Sequence, residues 1–518
     1  MITINGHQLT IEEVIKVARH NEIVKIDQSA YGQIEESRHW VDEITQAETP
    51  VYGINTGFGI FSDRKISKAD AALLSRKLIL SHAVGTGENL PIEVVRAAML
   101  IRANTLAKGY SGVRPVIIET IIQMLNKHVT PLVPSQGSLG SSGDLAPLSH
   151  LALVFTNDEQ DNDEDSGWAL FDGEKISGKA AMHKAGIPRI CLQEKEGLAL
   201  NNGASFSAAI AAIAVYDAEC LLTSAEIALA MSMDALLGVS TAYDQRIHAV
   251  RNHPGQVKVA DKIRNLIKGS TLIDATGRVQ DAYSLRCAPQ VQGAAEDALT
   301  FIRDMISREI NAATDNPLLF SPGIALSGGN FHGEPIGMVM DFLSIALTEV
   351  AGISERRIFR LTDGKLNEGL PPMLVDTPQD AGLNSGMMMP QYTAASLVLE
   401  NQTLSSPDSI YSLPTSAEQE DHNANSMTAA RHALQVTENT AHVIAIEVYC
   451  AARALDIRLR QYPEAKMGRG VSMAHQFIRS HIPYQAGDIL WGPEIERTKK
   501  LVRTQELNKF VMGAIDVN

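Results

Sequence analysis

The chain has 518 residues, 45% of them hydrophobic and 20% charged, a balance that supports a large buried core and excludes a disordered chain. Lys and Arg number 45 against 60 Asp and Glu, for a formal net charge of −15. That sign argues against nucleic acid and anionic membrane surfaces as partners, because both are bound through basic faces. At roughly 150 residues per domain the length suggests three or four domains.

The first residues, MITINGHQLTIEEVIKVARH, contain no apolar signal-peptide core, and Ile2 to Leu9 shows weak strand-like alternation. Two Gly-rich loops follow, YGINTGFGIF (52–61) and QGSLGSSGDLAP (136–147). The segment NDEQDNDEDSG (157–167) packs six acids into the eight residues 158–165. Its Asp161, Asp163 and Asp165 imitate the start of a calcium loop, but the turn glycine is displaced to Gly167 and position twelve is Asp172 rather than Glu. A solvated acidic loop is expected. GEKISGK (173–179) nearly matches a phosphate-binding loop, but Ala180 stands where the magnesium-binding Ser or Thr belongs.

LNNGAS (200–205) leads into the most apolar run, Phe206 to Leu237, which lacks Gly and Pro. Asp217, Glu219, Glu226 and Asp234 within it would be expensive in a bilayer, so the run is expected to be a buried helix. Ala294–Asn311, Met338–Leu361 and Asn425–Leu459 also carry helix formers with apolar residues spaced by three and four. A fourth Gly-rich loop, SGGNFHGEP (327–335), lies among them. Helices of this length predict a mainly α fold, a long-helix bundle around one core. No repeat of 20 to 50 residues is visible, and no flexible linker divides the chain. Residues 1–200 and 201–518 are expected as an N-terminal domain and a helical bundle with its C-terminal helical region. Cys191, Cys220, Cys287 and Cys450 fit neither a zinc pattern nor a disulfide framework, and read as reduced, buried thiols of a cytoplasmic protein.

There is no HExxH, and GSSG fails the nucleophile elbow because Asp144 occupies the last glycine position. His150, alone, reads as a satisfied structural residue. Ser141-Ser142-Gly143 is different. Glycine leaves its nitrogen unhindered, so in a strained loop the Gly143 nitrogen can attack the carbonyl of Ser141. Loss of one water closes a five-membered ring, and loss of a second from Ser142 leaves an exocyclic methylidene. The product is an electrophile built from the chain itself, capable of covalent catalysis. Spacing alone is a weak signal, since serine–glycine loops are usually turns.

The surroundings strengthen it. VYGINTGFG, GSLGSSGDLAPLSH, KEGLALNNG, RVQDAYSLRCAPQ, INAATDNPL, SGGNFHGEP and SAEQEDH occur in order over most of the chain. Together they resemble the aromatic amino acid lyase family: histidine, phenylalanine and tyrosine ammonia-lyases and the related aminomutases. The resemblance implies a fumarase/aspartase-like helical architecture whose N-terminal domain carries a methylidene-imidazolone (MIO) group. That group forms autocatalytically from Ser141, Ser142 and Gly143, with no external cofactor and no metal. Ser at 141 departs from the family's usual Ala, but ring closure uses only the backbone carbonyl there. The resemblance also implies a homotetramer with active sites shared between subunits.

Carried onto this sequence, the family places catalytic tyrosines at Tyr52 and Tyr283. Arg286 would clamp the substrate carboxylate, as a guanidinium fork can. Asn202 and Gln280 would orient that carboxylate and tune the MIO, with Phe331 as an aromatic wall. His82 and Glu420 would select the ring. Phenylalanine lyases usually place an apolar residue at the first of these positions, and phenylalanine and tyrosine lyases a Gln at the second. A carboxylate suits an imidazole N–H and would face a phenyl ring uncompensated. L-histidine, giving urocanate and ammonia, is therefore expected. Tyrosine or phenylalanine lyase, a 2,3-aminomutase and an inactive helical scaffold are the alternatives. Asn201, Ala204-Ser205 and the polar stretch 422–427 depart from the family pattern close to the expected site and bear on that choice.

Overall fold

A computed structural model describes residues 1–46, 50–57 and 66–515. Among the described residues there are nineteen α-helices and eleven strands of two to four residues. The strands form sheets of only two or three members, so the fold is mainly helical, as its composition implies.

The longest helices are Ser205–Ala235, Ala288–Glu309, Glu334–Thr362 and Ser426–Gln461. Each matches an expected run, with shifted ends. The first stops at Ala235 because Leu237 turns left-handed (φ 53°) and the Gly238 N–H returns to the Met233 carbonyl at 2.8 Å. The second starts before the expected Ala294, running through Gly293, whose missing side chain lets the backbone of Gly255 and Gln256 approach. The third gains a turn at its start, where Pro335 sits as its second residue.

The chain forms two compact units. The first comprises Met1–Tyr216, Arg303–Asp341 and Pro407–Arg431. Its centre is the helix Ile92–Ala107, buried from Val94 to Ala107. The helix Ile11–His20 packs on it, started by a capping box in which Thr10 and Glu13 satisfy each other's backbone N–H. The expected strand near the N-terminus is Ile2–Ile4, paired in parallel with Val24–Ile26 in the register Ile2↔Val24. An antiparallel three-stranded sheet runs Thr130–Pro131, Trp168–Phe171, Glu174–Ser177, with Ala169 opposite Ile176. His150 accepts the Gly85 N–H at 3.1 Å and so tethers the chain at the start of the strand Thr86–Asn89.

The second unit comprises Asp217–Ile302, Phe342–Ser406 and His432–Asn518. The acids inside the apolar helix are matched there. Glu226 pairs with Lys262 at 2.6 Å, Asp217 with Arg503 at 3.1 Å, and Asp234 accepts the Gly468 N–H at 2.7 Å. Glu447 takes Arg357 at 2.7 Å and the Ser232 hydroxyl at 2.8 Å. Ser205–Ala235 and Glu334–Thr362 are long and apolar enough to cross a membrane, but 83% and 67% of their apolar windows are buried within the protein. They are core helices here.

The acidic loop also finds an explanation. Asp161 takes the Arg189 guanidinium, and its backbone carbonyl takes Lys179 at 2.6 Å. Asp158 faces Arg76 at 3.6 Å, and the Asp165 carbonyl takes Arg76 at 2.6 Å. Both guanidiniums are buried, so the loop neutralises cations that would otherwise be stranded. Among the described residues no three metal-ligating groups converge. All four cysteines are free; Cys220 and Cys450 are buried as expected, whereas Cys287 is only partly buried and Cys191 is exposed at the end of its short strand.

Candidate active site

The loop 138–144 is held from several sides. Ser138 Oγ donates to Asp144 Oδ1 at 2.9 Å and accepts the Gly140 N–H at 3.2 Å. Asp144 is buried and receives Ser207 twice, from its N–H at 2.7 Å and its hydroxyl at 2.8 Å. Burial pushes the Asp144 carboxyl up, opposed by those donors. The Gly140 carbonyl takes the Gly333 N–H at 2.9 Å, and the Leu139 carbonyl takes the Asn425 N–H at 2.7 Å.

The tightest contact lies between two glycines. Gly143 and Gly203 form a parallel bridge. The Gly203 N–H donates to the Ser142 carbonyl at 3.1 Å, and the Asp144 N–H to the Gly203 carbonyl at 2.8 Å. A Cβ on Gly143 would overlap the Gly203 backbone, and Gly143 has φ +79°. Space and dihedral both demand glycine there.

Above this loop opens a cavity of about 770 Å³ within the first unit. Tyr52, Ser141, Ser142, Asn202, Phe331 and Glu420 line it, so six of the expected residues converge. Tyr52 sits in a tight turn whose Asn55 side chain accepts the Val51 N–H at 2.6 Å, while neighbouring Ile54 is anchored among Trp40, Val41 and Leu319. Residues 58–61 of that Gly-rich loop lie outside the described residues. Asn202 is buried, and its Oδ1 has no hydrogen-bond partner within the chain. Glu420 reaches the Ser142 hydroxyl at 3.2 Å. It is aimed by a turn in which Ser416, Ala417 and Glu418 all have positive φ and the Thr415 N–H bonds the Glu420 carbonyl at 2.8 Å.

His82 ends the helix Lys68–His82 and does not line the cavity, but feels the Glu420 charge. Burial lowers its pKa, partly opposed by its bond to the Leu78 carbonyl and by Glu420. Its Nδ1 lies 2.8 Å from that carbonyl, which only accepts. The proton of the neutral ring is therefore on Nδ1, leaving Nε2 as an acceptor.

Gln280, Tyr283 and Arg286 belong to the second unit and do not line this cavity. Tyr283 opens a short helix and is 70% exposed, with the Arg286 guanidinium 4.6 Å from its ring centre. The Arg286 Nε is buried without a partner in the chain.

Sequence reasoning missed His332 and His422. Both line the cavity, with rings stacked 5.9 Å apart, and His332 Nε2 lies 3.2 Å from the His422 carbonyl. They stand in the motifs GGNFHG and QEDH, beside Phe331 and close to Glu420 in sequence. Of the departures, Asn201 is buried behind the loop, 3.5 Å from the Ser149 hydroxyl, and does not face the cavity.

Residues 9–480 match the family model for aromatic amino acid lyase. The chain belongs to the aromatic amino acid lyase family. With the family comes the enzyme class, a carbon–nitrogen lyase. A histidine ammonia-lyase of Caldanaerobacter subterraneus subsp. tengcongensis is 49% identical over 93% of this chain and 92% of its own length. The crystal structure of a histidine ammonia-lyase from Trypanosoma cruzi superposes with a TM-score of 0.90 at 35% identity, covering 99% of this chain and 95% of that one. A tyrosine aminomutase from Streptomyces globisporus superposes with a TM-score of 0.91 at 33% identity, covering 99% and 98%.

Proposed function

We propose that this chain removes ammonia from L-histidine to give urocanate. The observation that carries the reading is Glu420, a carboxylate 3.2 Å from the Ser142 hydroxyl on the cavity wall. It offers acceptors for an imidazole N–H and does not match a phenyl ring, while neutral His82, outside the cavity lining, bears on the ring only through Glu420. The histidine ammonia-lyase names of full-length relatives support the same choice.

The MIO reading is supported by the loop itself. Gly143 is pressed against Gly203 where no side chain fits, and the Asn202 Oδ1 is buried without a partner beside it. Ser141, Ser142 and Gly143 are the residues that would form the group, which supplies an electrophile for the substrate amine. The remaining work falls to ordinary side chains. Tyr52 takes the β-proton as phenolate; since a phenol's reference pKa is about 10, positive charge or donors must lower it on substrate binding. Arg286 grips the substrate carboxylate, with Gln280 beside it. Tyr283 attends the leaving amine. Phe331 walls the ring.

Gln280, Tyr283 and Arg286 act in this reading from a neighbouring copy in a homotetramer. The exposure of Tyr283 and of Phe301, Phe342 and Ile345 on the long helices supports such packing. No membrane or nucleic-acid partner is required, and the reading places the enzyme in the cytoplasm.

The test supplies L-histidine, L-tyrosine and L-phenylalanine separately and follows the ultraviolet spectrum and products. Fastest turnover to urocanate supports the proposal. Coumarate, cinnamate or a β-amino acid as the dominant product would replace it, the last in favour of an aminomutase.

A further inference from the structure

Beneath the cavity lies a buried cation that sequence motifs do not mark. Arg102, on the helix Ile92–Ala107, has no solvent exposure. Its Nη2 donates to the Asn202 carbonyl at 2.5 Å and also to the Ala199 carbonyl. Its Nε and Nη1 have no partner in the chain. Burial lowers its pKa to about 10, against the opposing charges of Asp315 and Asp144. It is thus charged at neutral pH.

The carbonyl it grips belongs to the peptide unit whose other end is the Gly203 N–H. That N–H donates to the Ser142 carbonyl at 3.1 Å. Three groups therefore stand in line: guanidinium, peptide 202–203, Ser142 carbonyl. A cation at the oxygen end of a peptide polarises it and strengthens the donor at the nitrogen end, most of all in a low-dielectric interior. Gly203 lets the backbone pass where a side chain has no room. A Cβ there would sit 2.5 Å from Thr314 Oγ1 and 3.0 Å from Arg102 Nη1, and Gly203 has φ +109°.

We propose that Arg102 is a positioning residue for self-processing of the loop, acting through the 202–203 peptide on the Ser142 carbonyl. This rests on the reading that Ser141-Ser142-Gly143 forms an MIO. In the second dehydration the Ser142 Cα–H bond breaks and the proton leaves to solvent base. The electron pair delocalises onto the Ser142 carbonyl oxygen, then returns to form Cα=Cβ as the Cβ–Oγ bond breaks. The departing hydroxide takes up a proton, so one water is lost and nothing is oxidised. Charge accumulates on the oxygen that Gly203 holds, and Arg102 makes that donor stronger. The same oxygen stays conjugated to the finished electrophile, so Arg102 also tunes its absorbance.

The test compares the full-length protein with Arg102→Gln, which keeps donors and removes the charge, and Arg102→Lys, which keeps the charge. Intact mass against time after synthesis reads the loss of two waters, the difference absorbance reads the group's electronics, and circular dichroism reads the fold. The expected order of maturation rate is wild type, then Lys, then Gln, with Gln about tenfold or more below wild type and its band shifted. Folded Gln and Lys variants that mature at the wild-type rate with an unshifted band overturn the proposal, as does Gln outpacing Lys. If Arg102→Gln does not fold, Gly203→Ala carries the test, since it displaces the peptide and leaves the charge. Slow maturation of folded Gly203→Ala supports the proposal, and wild-type maturation overturns it. If none of the three folds, Arg102 is a structural residue and the proposal falls. A wild-type protein that never loses two waters would instead defeat the MIO reading.

Discussion

Two loops of the first unit invite opposite first impressions. The segment 157–167 is crowded with acids and imitates a calcium site, whereas 138–144 is a run of small residues that reads as a turn. In the folded protein the roles reverse. Asp158 and Asp161 are spent on the buried guanidiniums of Arg76 and Arg189. The small residues are clamped by Asp144, Ser207 and Gly203 beneath a cavity. A charge run seeks its counter-charges and is then satisfied; a glycine pressed against another backbone at positive φ holds a conformation and a space that no other residue fits.

The comparison is broken most directly at Ser142. Ser142→Ala removes the methylidene carbon's leaving group, so turnover is expected to fall to background. The hydroxyl has one partner at 3.2 Å in a half-exposed site, so the melting temperature should hold within a few degrees. Undiminished turnover would sink the mechanism. Next comes Glu420→Gln, which removes a charged acceptor. We expect kcat/KM for L-histidine to drop by about tenfold to a hundredfold, and more than for any phenyl substrate. Equal losses on both would remove the argument for an imidazole pocket.

The acidic loop should behave in the opposite manner. Asp161→Asn leaves Arg189 buried with a weaker partner, and Asp161 is itself about a third exposed, 31%. A loss of about 1–3 kcal/mol is expected, with kcat/KM unchanged. Asp163→Asn, at an exposed position, should stay within about 0.5 kcal/mol. Added calcium should shift neither melting curve. A calcium-dependent rise in stability would restore the reading of the loop as a cation site.

What the sequence disclosed follows the same division. Long helices were legible because their apolar spacing is local, and their ends moved by at most two turns, most at the start Ala288. Tyr52, Ser142, Asn202, Phe331 and Glu420 were legible through motifs and do converge. Arg102 was not, because one arginine in an apolar helix carries no local mark; only folding brings it under the Asn202 carbonyl. Gln280, Tyr283 and Arg286, also named through motifs, belong to the second unit and are not among the residues that line that cavity. Their grouping with Tyr52 rests on the family motif alone.

The smallest expected effect is a pH dependence of opposite sign at Glu309, a helix carboxyl close enough to feel the Asp144 charge, and at Asp158 of the acidic loop. Burial first, and the nearby Asp144 charge second, raise the Glu309 carboxyl from 4.5 to about 7. At Asp158 burial also raises the pKa, but the backbone N–H groups of Asp161 and Gln160 and the Arg76 charge outweigh it, so the net shift is downward from 3.8. The signs then differ. A group raised in the folded state binds its proton more tightly there, so the contribution of Glu309 is full below about pH 4.5 and is lost as pH rises through about 7. The contribution of Asp158 is present above its unfolded value and is lost as pH falls below it, and solvent screening keeps it small. Melting temperature against pH should therefore decline gently across neutrality in the wild type. Glu309→Gln should flatten that decline and leave the acid limb alone, while Asp158→Asn should soften only the acid limb. If Glu309→Gln retains the wild-type slope between about pH 5 and pH 8, the neutral-range titration belongs to another buried acid. Glu226 on the core helix, also raised to about 7 by burial, is the group to substitute next.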